Sequence, residues 1–83
     1  MITSRQVRAA RALLGWTQEM LADKALVALT ALKRLESESN LPVREDTRHQ
    51  VMKALESAGV VFLDSDRGKG VMVVRGAPDR PGK

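Results

Sequence analysis

Apolar residues recur at helical spacing through the stretch from Thr17 to Glu36, TQEMLADKALVALTALKRLE. Leu21, Ala22 and Ala25 share one face of a predicted helix over Gln18 to Ala25. Leu32 and Leu35 do the same in a helix from Leu29 to Glu36 or a little beyond, and Val27 falls in the turn between them. Ala22 has no side chain to hold two crossing helices apart. Upstream, Val7, Ala10, Leu13 and Leu14 predict the inward stripe of a helix over Ser4 to Leu14, stopped by Gly15. Thr3 and Gln6 have the spacing of a capping box, and Ile2 and Val7 that of a hydrophobic staple. Thr17 is placed to cap the next helix, with Trp16 and Leu21 again at staple spacing.

Ser37 to Val43 reads as a loop, since Pro42 blocks continuation of a helix. Thr47, Val51, Ala54, Leu55 and Ala58 give the buried face of a further helix that starts at Arg44 or Asp46 and ends at Gly59. The pattern leaves open whether one helix or two short ones fill 36–58. After Gly59 the period changes. Val60 to Leu63 and Val71 to Val74 are short β-branched runs around the turn-rich DSDRGKG, which predicts a β-hairpin. Two strands alone are not stable in water, so the hairpin is expected to pack on the helices or to serve in dimerisation. GAPDRPGK, from Gly76 to Lys83, reads as a disordered tail.

Composition narrows the function. The 83 residues suffice for one small domain with a marginal core. Absence of cysteine excludes disulfides and thiolate metal sites and fits a reducing cytoplasm. No apolar run reaches the ~20 residues of a membrane span. Net charge is +4, from 14 Lys+Arg against 10 Asp+Glu, which suits nucleic acid without requiring it. Trp16 and Phe62 are the only aromatics, which argues against a stacking platform for single strands. No nucleophile–base pair, metal-ligand set or cofactor loop stands out. Gly68-Lys69-Gly70 is too short for a P-loop and precedes no helix. Asp64-x-Asp66 opens like a calcium loop, but Lys69 and Arg75 stand where that loop needs glycine and glutamate. The lone His49 is expected at the surface. The expectation is therefore a non-enzyme with no cofactor, no metal and no small-molecule substrate.

The run W-T-Q-x-x-L-A at Trp16 to Ala22, followed by the helix closing on Glu36, resembles the helix-turn-helix of the phage-repressor (Xre, Cro-like) family. The resemblance covers roughly residues 3–75. It implies a mostly α, four- or five-helix repressor-like domain over 1–59, with a C-terminal β-hairpin over 60–75 and the tail over 76–83. It also implies that the helix at 28–36 lies in the DNA major groove. Gln18 would contact the DNA backbone, and Ala28, Leu29, Thr30, Lys33 and Arg34 would form the reading face. Arg11 and Glu36 would form a structural ion pair between the first and third helices; the bland reading of Arg5, Arg8 and Arg11 is a solvated face.

The sequence departs from the family pattern in the turn and at the start of the third helix. Leu26 stands where glycine is usual, at a cost on the order of 1 kcal/mol or with a different turn. Ala28 replaces a serine or threonine cap, forfeiting roughly 0.5–2 kcal/mol. Leu29 takes the place of a polar base reader, and Arg48 that of an apolar residue. Two functional readings follow. One is a transcriptional regulator, a homodimer on a two-fold-related site in double-stranded DNA. The other is an antiactivator or antirepressor that binds a partner transcriptional regulator through Met20, Leu26 and Leu29.

Overall fold

The computed structural model describes residues 2–37 and 42–74. Its elements in chain order are helices α1 (Ser4–Leu14), α2 (Gln18–Ala25), α3 (Leu29–Glu36) and α4 (Glu45–Ser57), then strands β1 (Val60–Ser65) and β2 (Gly68–Val73). The expected tail over 76–83 lies outside the described residues, as does most of the Ser37 to Val43 loop. Of the stretch 36–58, residues 38–41 lie outside the described residues, and the part before Gly59 forms the single helix α4. No described helix is long and apolar enough to cross a membrane.

Local chemistry sets the boundaries. The Thr3–Gln6 capping box forms in full: Gln6 N–H donates to Thr3 Oγ1 at 3.1 Å and Thr3 N–H to Gln6 Oε1 at 3.0 Å. Thr17 Oγ1 accepts from Met20 N–H at 3.1 Å. Helix α1 ends at left-handed Gly15, with Gly15 N–H on Ala12 O and Trp16 N–H on Arg11 O. Helix α2 ends in the same way at Leu26, φ 58°, with Leu26 N–H on Asp23 O and Val27 N–H on Ala22 O. Both are Schellman closures. The turn expected to need glycine is therefore kept, with a leucine held in the left-handed region.

Val7, Ala10, Leu21, Ala22, Leu32, Leu35, Val51 and Leu55 form the core, joined by Ile2 and Val60. Val27 and Leu29 pack against its edge. Leu13 does not belong to it. Expected on the inward stripe of α1, it is 57% exposed. Gln6 takes the inward place instead.

The hairpin is tighter than expected. The strands extend to Ser65 and Gly68, so the connection shrinks from the seven residues of DSDRGKG to Asp66 and Arg67. Ser65 Oγ accepts from Arg67 N–H at 3.1 Å, and Gly68 takes φ 149°, a region open to glycine. Lys69 Nζ lies 2.8 Å from Asp64 Oδ2, and this hydrogen-bonded cation holds the exposed carboxyl below its ordinary range. The hairpin packs on α1 and α4. Gln6 fixes it there: its buried amide donates to Leu63 O at 3.1 Å and Gly70 O at 2.9 Å.

Candidate nucleic-acid interface

Helix α3 is divided by burial. Leu32, Leu35 and Glu36 are buried, while Ala28, Thr30, Lys33 and Arg34 are exposed. Val27 N–H on Ala22 O closes α2, Leu32 N–H on Ala28 O opens α3, and Leu32 and Leu35 pack into the core. Ala28 makes no side-chain cap. The outward side carries the hydroxyl of Thr30 and the cations of Lys33 and Arg34, the donors that reach phosphate oxygens and guanine edges. Leu29 is half-buried against the core, so it is less a surface group than its place in the sequence suggests.

Glu36 closes α3 with its carboxylate 3% exposed. Arg11 grips it in bidentate fashion, Nε to Oε2 at 2.7 Å and Nη2 to Oε1 at 2.9 Å. Arg11 Nη1 also donates to Trp16 O at 3.1 Å. One side chain thus ties the end of α1, the entry to α2 and the end of α3 together. Arg8 Nη1 donates to the backbone carbonyl of Glu36. The arginines of α1 are therefore not simply a solvated face: two of the three turn toward the end of α3.

Gln18 joins the same cluster, its Nε2 donating to Glu36 Oε1 at 3.1 Å. The sequence pattern offered no signal for this contact. The amide holds a second N–H, and the residue opens α2, whose N-terminal backbone adds partial positive charge. Gln18 is half-buried, so that end of α2 is fixed in orientation.

The residues of the alternative reading lie apart in burial. Leu26 is 82% exposed on its left-handed turn, and Met20 is 42% exposed on α2. Leu29 points partly into the core. Arg48, on α4, reaches back to the chain start, where its Nη1 donates to Ile2 O at 3.1 Å. His49 is exposed. Among the described residues no group of three or more His, Cys, Asp or Glu gathers to hold a metal.

Residues 7–43 match the family model described as Helix-turn-helix. This segment is a helix-turn-helix of the phage-repressor type. The family is one of DNA-binding regulators, not of enzymes. The matched span runs from α1 to just before α4, so the Arg11–Glu36 pair lies inside the helix-turn-helix and the hairpin outside it. No curated protein matches the chain.

Proposed function

We propose that this chain is a transcriptional regulator that binds duplex DNA through α3, as a homodimer on a two-fold-related site. The observation that carries it is the division of α3. Its inward residues are sealed and clamped by Arg11 and Gln18, and its outward side presents Thr30, Lys33 and Arg34. A helix fixed so firmly and bearing donors on its free face suits major-groove reading. Gln18 and the first turn of α2 hold the adjacent backbone phosphate. Ala28, small and exposed, allows the start of α3 to approach the duplex closely.

The test is a salt titration of binding to duplex DNA with the parent chain and with Lys33→Ala/Arg34→Ala. The parent loses affinity steeply with salt, and the variant shows a slope lower by roughly 0.9 for each phosphate contact removed. Undetectable binding of the folded parent at low salt overturns the reading.

A partner-protein reading keeps one observation in its favour, the exposure of Leu26 and of Met20. There the helix-turn-helix would dock a partner transcriptional regulator and act as an antiactivator. Met20→Ser/Leu26→Ser separates the two. This double variant retains DNA binding and regulation under the DNA reading and loses regulation under the other.

A further inference from the structure

A cleft of about 740 Å³ opens beside the reading helix, between the first turn of α1, the end of α3, α4 and the start of β2. Arg5, Arg34, Arg48 and Lys69 line it, and no acidic side chain does so among the described residues. Asp64, which pairs with Lys69, and Glu45, which pairs with Arg48, are absent from the lining. Thr3, Ser4 and Gln6 line it as well, which adds the positive end of the α1 dipole.

Arg48 is under-satisfied where it stands. Its Nε is buried without a hydrogen-bond partner, and the nearest carboxylate oxygen, on Glu45, is 3.7 Å away. Unpaired buried donors are rare enough to need a reason. Arg5 holds an interaction of its own, which leaves Arg34, Arg48 and Lys69 as the cations of the cleft.

We propose that this cleft binds a phosphate group. Three cations from three elements line one concavity, and Arg48 brings to it a guanidinium whose Nη1 is taken by Ile2 O while its Nε has no acceptor. Phosphate oxygens match the paired N–H geometry of arginine, and the cleft supplies two arginines and a lysine around them. The phosphate comes either from the DNA backbone flanking the groove that α3 occupies, which rests on the DNA reading, or from a free phosphorylated small molecule.

The experiment uses the full chain, the single variants Arg48→Gln and Lys69→Gln, and the double variant. Arg34 is left intact, so the reading helix is untouched. Pyrophosphate is titrated at low ionic strength while amide resonances of Ser4, Gly70 and Val71 are followed. In parallel, the salt slope of duplex binding is measured. A backbone phosphate in the cleft lowers the slope of the double variant by about 0.9, the value for one phosphate no longer neutralised. A free phosphorylated ligand leaves the slope unchanged and gives saturable pyrophosphate shifts that the double variant abolishes. No saturable shifts together with equal slopes overturns the proposal. If the parent binds no duplex, the DNA reading fails alone and pyrophosphate decides the cleft. If Arg48→Gln does not fold, Lys69→Gln carries the same test, with a slope change of up to about 0.9. Loss of its exposed pair with Asp64 costs little stability.

Discussion

Gly15 and Leu26 close their helices with the same pair of hydrogen bonds, yet only one of them is suited to left-handed backbone. The leucine side chain returns almost nothing for the strain, since it is 82% exposed. Leu26→Gly should therefore stabilise the fold by about 1 kcal/mol. In a domain of this size that raises the melting temperature by roughly 4–8 °C. Ala28→Ser should add about 1 kcal/mol by supplying the cap that α3 lacks. Thermal melts of the two variants check both; a lower melting temperature for Leu26→Gly would mean that the leucine makes contacts that outweigh its strain. Both positions were readable as departures from the family pattern because turn and cap chemistry is local. Leu29 was harder, because its half-burial depends on how α3 is tilted against the core, which spacing alone does not specify.

At the level of elements, Glu36 joins three helices through one carboxylate. The family resemblance pointed to Arg11 as its partner. It did not point to Glu36 contacts from Gln18 or Arg8, because those depend on the crossing of α2 and α1 over the end of α3. Removing Arg11 would leave a buried carboxylate short of its main partner, at a cost of about 3–5 kcal/mol. Arg11→Met and Glu36→Gln should accordingly be strongly non-additive in chemical denaturation, the double variant recovering part of the loss. A coupling near zero would mean that each side chain is satisfied without the other. Gln6 shows the same limit of sequence reading. The capping box was legible, but its second use, holding the hairpin through two carbonyls, links residues far apart in the chain. Gln6→Glu places a carboxylate against those carbonyls and should destabilise the protein at neutral pH. Burial and the two carbonyl oxygens raise the variant acid's folded pKa above its unfolded ~4.3. The penalty is therefore full above the folded value and lifts as pH falls through it. A pH-independent loss would indicate a packing defect instead.

Seen whole, the molecule offers an apolar face on the side of the hairpin away from the helices. Val60, Phe62, Val71 and Val73 turn toward the core, and alternation along the strands turns Val61, Leu63, Met72 and Val74 outward. Val61 and Met72 are cross-strand partners, so the outward side chains form one contiguous strip. The hairpin was expected either to pack on the helices or to serve a dimer; its inner face does the first, and its outer face remains available for the second. Regulators with one reading helix per chain obtain two half-sites by two-fold symmetry. If the outer strip joins two copies, Met72→Glu puts like charges opposite one another at the two-fold axis and should shift the protein to monomer in sedimentation. Binding to a probe with two half-sites should then weaken toward the affinity for one half-site. Binding to the single half-site should be unchanged, because Met72 lies on the hairpin and not on α3. A fall in single half-site affinity with the monomer still folded would place the hairpin in the DNA contact itself. Unchanged sedimentation and unchanged two-site binding would assign the apolar strip no part in assembly.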